Sequence, residues 1–498
     1  MVVSVPAMRI SHAGALAPIL LATTLAGAET RHVAITGSDT AAGTAEAPWR
    51  TIQRAADAVV PGDTVVIHAG TYTGFRVTAD GTEAAPIAFT GEGTVKIDGA
   101  ATTNRDAVLV EGGAWIQIEG LTVTGATRAG ISALDCHHIT VRGNRVDANG
   151  RWGVFSSHCD DFVVERNEVS RSGTEHGVYA SNSADRPVIR DNRIWGNGMC
   201  GVHMNGDINF GGDGVISNAI VEGNVILDNG RRGGSAINAD GVADSLIRNN
   251  VLDGNHASGI SLYRIDGGAA STGNRIINNT VRMASDARWA VNIQDGSSGN
   301  VMRNNILIHP SASRGVLDIC AACTTGMSSD RNAFTGGFMV AGTTINLAAW
   351  RTRTGGDGAS FTATDAALFT APATGDLTLR PGSPAIDQGS ADGAPAVDVL
   401  GTLRPQGAAI DIGAYEHCSG ACTGGDDPGG DDPPPPGEDP AAGEPDETGT
   451  DDSGDPFVGP AADPDTAGCS AAGSGAGLVL ALLPALTLLV PRRRRRYS

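Results

Sequence analysis

The sequence of 498 residues predicts an all-β fold in which short parallel strands stack as a repetitive solenoid. Three observations lead to this prediction. The body of the chain is too long for one compact core unless it is repetitive. A first marker, a small residue followed by alternating apolar and polar positions, begins at residues 130, 153, 177, 201, 236, 259 and 290. Each copy is followed by a second marker that contains an asparagine: Asn144, Asn167, Asn192, Asn224, Asn250, Asn279 and Asn305.

The repeat length indicates how the copies assemble. First markers are separated by 23, 24, 24, 35, 23 and 31 residues, so the repeat is near 23 residues and two copies carry insertions. A unit of this length cannot bury its own apolar face, whereas copies stacked about 4.8 Å apart form a continuous core. The asparagines would then hydrogen-bond along the stack. The strands are rich in Val, Ile and Thr with period-two alternation, which argues against a helical solenoid.

This pattern resembles the right-handed parallel β-helix, the fold of pectate lyases and many secreted bacterial proteins. The stretch "APWRTIQRAADAVVPGDTVVIHAGTY", residues 47–72, has an amphipathic segment over 51–60. It resembles the opening of such proteins, where a short helix caps the first coil. The stretches "GDLTLRPGSPAIDQG" and "AAIDIGAYE", residues 375–389 and 408–416, resemble a closing domain that follows such helices. These resemblances imply a fold rather than a chemistry.

Composition divides the chain into five predicted segments. We expect a signal peptide over 1–28, a parallel β-helix with an N-terminal cap over 29–325, closing coils and a C-terminal cap over 326–423, a disordered acidic Pro/Gly linker over 424–468, and a sorting or anchor segment over 469–498. The first apolar run ends in small residues, as secretory cleavage sites do, and it is short for a membrane anchor, which is the alternative. The linker has almost nothing to bury, so it should be extended and solvated.

The last thirty residues indicate export and surface anchoring. Cys469 precedes an apolar run over 475–491, about the minimum length for a bilayer span, and the arginines 492–496 would stay on the cytoplasmic side. This arrangement resembles the sorting tails of myxobacterial surface proteins. The resemblance implies cleavage near Cys469 by a sorting protease and anchoring at the outer membrane, and a plain single-span anchor is the alternative. Both place the body outside the cytoplasm.

The charge of the chain excludes one class of partner. The formal net charge is −20, but residues 424–466 hold fourteen acidic and no basic residues. Without these acids, Arg9 and the five terminal arginines, 41 acidic and 29 basic residues remain, a net charge of −12. Nucleic acid is excluded as a partner because phosphate binding needs a basic surface. We expect a monomer.

The cysteines suit an oxidising compartment. Cys136 and Cys159 each lie six residues after the start of a first marker, so they should be neighbours on adjacent coils and form a disulfide. Local bridges are expected for Cys320 with Cys323 and for Cys418 with Cys422, and a zinc site built from these four is the alternative. Cys200 is left over and is interpreted as buried.

One face of the middle coils is rich in reactive side chains. The second and fourth residues of each first strand are apolar or small and should face the core, so the third and fifth should face solvent. Two insertions, "GDINFGGDG" and "RIDGGAASTG", leave the coils on that side and would form the walls of a groove. The outward positions hold Tyr179, His203, Asn205, Asn238, Asp240, Tyr263 and Asn292; Asp207, Asp213, Arg264 and Asp266 lie on the insertions, and His176 and His256 lie at the other rim.

Such a groove suits a polysaccharide, and the side chains suit elimination from an acidic sugar. This reaction needs the substrate carboxylate to be neutralised, a base for the C5 proton and an acid for the leaving oxygen. Arg264, or Ca²⁺ held by Asp207, Asp213 or Asp240, would neutralise the charge. The predicted base is His203, the predicted acid is Tyr179 or Tyr263, and the substrate would be held by His176, Asn205, Asn238, His256 and Asn292. Epimerisation would use the same first proton transfer.

Two other function classes stay open at this point. Pectate-lyase-like enzymes generally use a Lys or Arg base beside calcium, yet the single lysine, Lys96, falls in the early coils, which leaves Arg264. Glycoside hydrolysis needs two carboxylates on either side of the bond, and "NADG" at 238–241 is not followed by an acidic pair. The other alternative is a non-catalytic carbohydrate-binding or adhesion protein of the cell surface. An ordinary polar exterior is the simplest interpretation of the groove residues themselves.

Overall fold

A computed structural model describes residues 27–99, 105–311, 314–420 and 422. The strands are, in chain order, β1 (Thr30–Val33), β2 (Thr64–Thr73), β3 (Phe75–Val77), β4 (Ile87–Asp98), β5 (Val108–Glu111), β6 (Ala114–Thr124), β7 (Ala129–Arg142), β8 (Arg145–Asp147), β9 (Trp152–Asp160), β10 (Val163–Glu165), β11 (Glu168–Ser170), β12 (Val178–Ser181), β13 (Val188–Arg190), β14 (Arg193–Trp195), β15 (Val202–Asn205), β16 (Ile216–Ser217), β17 (Ile220–Glu222), β18 (Val225–Leu227), β19 (Ser235–Asp240), β20 (Val242–Ala243), β21 (Leu246–Arg248), β22 (Val251–Asn255), β23 (Ser258–Tyr263), β24 (Arg275–Ile277), β25 (Thr280–Met283), β26 (Trp289–Ile293), β27 (Val301–Arg303), β28 (Ile306–Ile308), β29 (Leu317–Ile319), β30 (Ser328–Asp330), β31 (Ala333–Phe334), β32 (Phe338–Val340), β33 (Thr343–Ile345), β34 (Phe361–Thr362), β35 (Phe369–Ala371) and β36 (Asp376–Leu379).

These strands form a right-handed parallel β-helix of about 11 turns, as the repeat predicted. Parallel pairing joins each strand to its counterpart one coil later and creates three faces. Face A runs through β3, β5, β7, β9, β12, β15, β19, β23, β26, β29 and β32; face B through β1, β2, β4, β6, β7, β10, β13, β17, β21, β24, β27 and β30; and face C through β2, β4, β6, β8, β11, β14, β18, β22, β25, β28, β31 and β34. The long strands β2, β4, β6 and β7 turn a corner and contribute to two faces each.

The asparagine ladder is confirmed. In each coil the Asn side-chain amide donates to the Oδ1 of the next Asn, at 3.1 Å for Asn144 to Asn167 and 3.0 Å for Asn250 to Asn279. The ladder continues past the predicted members to Asn332. A second ladder, which the sequence analysis missed, links Asn197, Asn229 and Asn255 five residues further along each coil. The same asparagines also satisfy buried backbone groups at the coil corners. For example, Asn144 N donates to Oδ1 of Asn167 at 2.9 Å, and the Asn144 side-chain amide donates to Ile118 O at 2.9 Å.

Helices close both ends of the core. The predicted N-terminal cap is α1 (Ile52–Ala56), shorter than its amphipathic segment, and the Thr51 side chain accepts a hydrogen bond from Arg54 N at 3.2 Å. At the other end, Trp350 of α2 (Leu347–Thr354) is fully buried and stacks on Phe338 with ring centroids 5.2 Å apart. A third helix, α3 (Asp365–Leu368), begins the segment that follows.

The closing segment, residues 365–416, folds back along the outside of face C. Its apolar side chains Leu377 and Ile412 belong to one buried cluster with Val251 and Ile306 of the β-helix. The type of residue at the outward position of face C explains why the closing segment packs against this face. That position is charged in the early coils, as in Arg145 and Arg193, and mostly apolar from Val225 onward, with Thr280 as an exception. The resemblance predicted a closing unit, and the structure places it along the flank rather than across the end.

The three predicted disulfides are present: Cys136–Cys159, Cys320–Cys323 and Cys418–Cys422. The zinc alternative for the last four cysteines is therefore wrong. The predicted signal peptide, save its last two residues, the linker and the C-terminal segment with Cys469 lie outside the described residues. Within the described ranges, no helix has the length and apolar character that crossing a membrane requires. The predicted segment boundaries stay predictions.

Candidate functional site

The strand register of face A brings the predicted outward residues into adjacent columns. Tyr179 pairs with His203 and His203 with Asn238, while Asn205 pairs with Asp240 and Asp240 with Tyr263. The inward alternates all lie in the main core. The predicted alternation and register are confirmed.

The prediction that these side chains face solvent is wrong. Tyr179, His203, Asn238 and Tyr263 are each at most 2 % exposed, and Asp240 is fully buried. The buried set also includes His176, Asn205 and Asn292. Where successive coils carry an aromatic ring at the same position, the rings pack against each other, because neighbouring coils lie only one strand spacing apart. The columns therefore form a second, polar and aromatic, layer outside the main core.

The aromatic part of this layer is continuous over three coils, from β9 through β12 to β15. Trp152 stacks on Phe155 at 4.2 Å, Phe155 contacts Tyr179 at 5.4 Å, and Tyr179 stacks on His203 at 4.9 Å between ring centroids. Nδ1 of His203 lies 3.0 Å from Nε2 of His176. Burial lowers the pKa of His203 to about 3, and burial together with His203 holds the pKa of His176 well below its ordinary value. His203 is neutral at physiological pH and a weak base there, contrary to its predicted role.

The carboxylate of Asp240 binds backbone groups of the second insertion. Its carboxylate accepts backbone N–H groups from Ile265, Asp266 and Gly267 at 2.8, 2.9 and 3.0 Å. A Cβ on Gly267 would lie 2.5 Å from the Cα of Gly241, so only glycine permits this close approach. Asp240 therefore holds the second insertion against the coils rather than facing a substrate.

The two insertions, residues 206–214 and 264–270, contact each other and form what we call the insertion pair. Ile208 N donates to Asp266 O at 3.0 Å, and Gly268 N donates to Gly214 O at 2.6 Å. Their location on one side of the β-helix is as predicted. Asp207 adopts a φ of 34°, a sparsely populated conformation for a non-glycine residue.

Three carboxylates meet beneath the insertion pair. Burial, and then the negative charges of Asp240 and Asp207, raise the pKa of Asp266 to about 6. Burial raises the pKa of Asp240 as well, and Asp207 adds to this effect. Oδ2 of Asp207 and Oδ2 of Asp266 are buried and have no hydrogen-bond partner among the described residues. We call Asp207, Asp240 and Asp266 the carboxylate trio.

The rim above the carboxylate trio is exposed and partly apolar. Ile208, Phe210 and Ile265 are 46, 47 and 41 % exposed, which makes them three of the six large apolar side chains exposed among the described residues. Arg264 is also exposed on the second insertion. Exposed apolar side chains next to a group of carboxylates mark a candidate binding surface.

Three predicted site residues are engaged away from this rim. His256 lies between Asp228 and Asp286, with Nε2 2.8 Å and Nδ1 2.9 Å from their Oδ1 atoms. Asp213 is exposed and accepts from Val215 N at 2.9 Å, so it stands apart from the carboxylate trio. The Asn292 amide oxygen accepts from Gln294, two residues along the same chain segment.

Some features were missed by sequence reasoning. Asp266 was assigned to a groove wall, although the "RIDGG" glycines indicate a tight loop around Asp240. A cavity of about 230 Å³ on face B lies beside Trp115, which stacks on His138 at 3.9 Å, and is also lined by Asp161 and Arg186. These four residues share one position on successive coils, a column that short strand patterns do not reveal.

Comparisons with known proteins agree with the architecture. Residues 31–185 match the family described as Pel9A-like, right handed beta helix region. The chain is similar to pectate lyase PEL9 of Emericella nidulans, at 28 % identity over 164 residues, which is 32 % of this chain and 37 % of that protein. The chain thus spans well under half the length of this relative. The crystal structure of pectate lyase Pel9A superposes with a TM-score of 0.55 at 18 % identity and covers 78 % of this chain and 96 % of that one.

Proposed function

We propose that the protein acts on an acidic, uronate-containing polysaccharide, as a lyase or an epimerase, at the insertion pair. One observation carries the proposal: the carboxylate trio lies beneath a rim formed by Arg264 and the exposed Ile208, Phe210 and Ile265. A group of carboxylates beside a basic and partly apolar surface suits a cation together with an anionic sugar chain. The similarity to pectate lyases supports this substrate class.

Calcium fits the residues that are present. Oδ2 of Asp207 and Oδ2 of Asp266 are buried oxygen ligands without a partner among the described residues, and Asp240 adds a third negative charge. Removing a carboxylate from water without a partner is costly, and a hard divalent cation would offset that cost. When bound, Ca²⁺ would neutralise a substrate carboxylate and thereby acidify the adjacent C5–H. Asp213, predicted as a ligand, is not part of the proposed site.

Arg264 is the proposed base. It is exposed at the rim, whereas His203 is buried and Lys96 lies on β4 beside Asp98, with Nζ 3.6 Å from Oδ2. Arg264 would first release its own proton to solvent, because only the neutral guanidine can accept the C5 proton. Cleavage of the C4–O bond, with a proton from water going to the leaving oxygen, then gives a lyase, and return of a proton to the other side of C5 gives an epimerase. Phe210 offers a face on which a sugar ring can stack.

The test uses the full-length protein and a panel of uronate and neutral polysaccharides, with Ca²⁺ and with chelator. We expect the ultraviolet absorbance of an unsaturated product or, failing that, C5 inversion by NMR on an acidic polymer, and loss of either with chelator. Arg264→Gln should abolish turnover with unchanged thermal stability. Arg353→Gln, on the exposed side of α2, is the matched control. Reducing ends without ultraviolet absorbance would indicate hydrolysis instead.

A carbohydrate-binding surface protein is the second candidate. The burial of His203, Tyr179 and Tyr263 favours it. Ring stacking makes this layer rigid, so that it can hold the rim in place, but the layer offers no accessible acid or base. In that case the panel would show binding by calorimetry and no product, and Arg264→Gln would only weaken the binding.

We propose that the body works outside the cytoplasm, attached to the cell surface. Three disulfides in the described residues support an oxidising compartment. Fractionation of cells that express the chain with and without residues 469–498 tests the attachment. Release of the truncated chain into the medium is expected, and retention of both forms inside the cell would refute it.

A further inference from the structure

Two histidines and a cysteine converge in the layer outside the core, near the start of face-A strands β12 and β15. His176 lies two residues before the start of β12. Cys200 lies two residues before the start of β15, the strand that contains His203. One ligand atom from each of the three side chains lies within 4.8 Å of the others. All three residues are at most 1 % exposed.

Hydrogen bonds orient the two rings toward a common point. Cys200 N donates to Nδ1 of His176 at 3.3 Å, which leaves Nε2 of His176 directed at Nδ1 of His203 at 3.0 Å. One proton is therefore shared between two ring nitrogens. A metal ion can occupy the place of this proton, because neutral imidazole nitrogen is a common metal ligand.

We propose that His176, Cys200 and His203 bind a soft transition-metal cation, Zn²⁺ or Cu⁺. A thiolate with two imidazoles selects such cations over Ca²⁺ or Mg²⁺, which prefer oxygen. Binding would release the thiol proton of Cys200 to solvent. The ring proton of His176 would move from Nε2 to Nδ1, so that both imidazoles bind as neutral ligands. The site is separate from the proposed calcium site in its ligand chemistry and goes beyond the proposed function.

The surroundings suit a cation at this point. Oε2 of Glu175 lies 3.7 Å from Nε2 of His176, so a carboxylate is close enough to balance the charge or to complete a four-coordinate set. Glu175 is held in place because it accepts from Trp152 Nε1 at 2.7 Å and from Arg151 Nε at 2.6 Å. Such outer contacts fix the position of a ligand group.

The state of Cys200 is consistent with this assignment. It is a thiol, whereas the other six cysteines among the described residues form three disulfides. In an oxidising compartment, coordination protects a thiolate from oxidation. The metal would also cross-link two neighbouring coils near the start of β12 and β15.

The test uses the full-length chain from cells grown with added Zn²⁺, with metal content measured by mass spectrometry. The chain is then stripped with chelator and reloaded with Co²⁺, whose thiolate complex has a strong near-ultraviolet charge-transfer band. We expect one metal per chain and a band that is lost in Cys200→Ala and in His203→Asn. Displacement of Co²⁺ by Zn²⁺ or by Cu⁺ with ascorbate identifies the preferred ion.

Two control variants distinguish metal binding at this site from nonspecific metal binding elsewhere on the chain. His32 and His68 form a stacked pair with Nδ1 and Nε2 3.1 Å apart, a His–His pair joined by the same kind of hydrogen bond, so His68→Asn should keep the band. Cys469→Ala should also keep it, since Cys469 is the one remaining cysteine of the chain. Circular dichroism and a thermal melt confirm that each variant is folded.

The outcomes are decisive in both directions. Absence of a charge-transfer band in the unaltered chain, or an unchanged band in folded Cys200→Ala, overturns the proposal. If Cys200→Ala fails to fold, the reactivity of the thiol is measured in the Cys469→Ala chain instead. Zn²⁺ should then slow labelling of Cys200 by at least about tenfold, because a coordinated thiolate no longer acts as the free nucleophile. Equal rates with and without Zn²⁺ overturn the assignment.

Discussion

Neutralising Asp266 should stabilise the metal-free protein at neutral pH. The ordinary Asp value is 3.8, and burial with the charges of Asp240 and Asp207 raises the pKa of Asp266 to about 6. Between these two values the folded state binds the proton more tightly than the unfolded state. Stability therefore falls as the pH rises from about 4 to about 6 and stays lower above that window.

The size of the effect follows from the pKa shift. About two units correspond to at most about 3 kcal/mol, at about 1.4 kcal/mol per unit. Asp266 is only half buried, so solvent screening reduces the expected gain to roughly 1–2 kcal/mol. Asp266→Asn removes the charge and keeps an oxygen and the shape of the side chain. It should gain this amount at about pH 7.5 in chelator and change little at about pH 4, where Asp266 is already protonated.

Calcium should reverse the order of stability of the unaltered chain and the Asp266→Asn variant. Ca²⁺ stabilises whichever state binds it, so the unaltered chain should gain stability with Ca²⁺ at neutral pH and lose most of that gain near pH 4. Asp266→Asn should gain much less. The assay is denaturant unfolding followed by tryptophan fluorescence, with Asp213→Asn as the control because Asp213 lies on the adjacent insertion outside the carboxylate trio. If Asp266→Asn is less stable than the unaltered chain in chelator at neutral pH, the electrostatic reasoning is refuted.

Three further predictions concern stability. Asn250→Leu should cost about 3 kcal/mol or more by denaturant unfolding, because it leaves buried ladder partners unsatisfied; a loss below about 1 kcal/mol would contradict this. Replacing Cys136 and Cys159 by Ser should cost about 3 kcal/mol, since their bridge closes a loop of 23 residues, and an unchanged melting temperature would argue against it. Glu416→Gln should loosen the closing segment by about 1–3 kcal/mol, because a neutral acceptor replaces the carboxylate whose Oε2 lies 3.0 Å from Nη1 of the buried Arg404. The carbonyls of Asp411 and Gly413 still accept from Arg404, and limited proteolysis of the segment measures the change.

Sequence periodicity predicted the architecture well. A solenoid repeats along one dimension, so residues at the same place in successive copies must be neighbours in space. This rule placed Cys136 beside Cys159, aligned Asn144 with Asn167, and set Tyr179 opposite His203. None of these contacts depends on how distant parts of the chain pack together.

The candidate site was predicted less well, because its properties depend on neighbours that periodicity does not specify. Alternation shows that His203 faces away from the core. The side chains packed around it bury it and make it a weak base, and alternation does not predict them. Asp266 and Asp207 meet only because two insertions of unrelated sequence pair with each other.

The sequence by itself determined the coil, the register, the first asparagine ladder and the disulfide framework, since each follows from a local pattern. The tertiary structure alone decided which outward side chains are covered, which carboxylates come together, and that Cys200 joins His176 and His203. The physical reason is that hydrogen-bonded strand stacking fixes positions along the solenoid axis, whereas burial and charge at its surface depend on loops and on a closing segment whose contacts lie far apart in sequence.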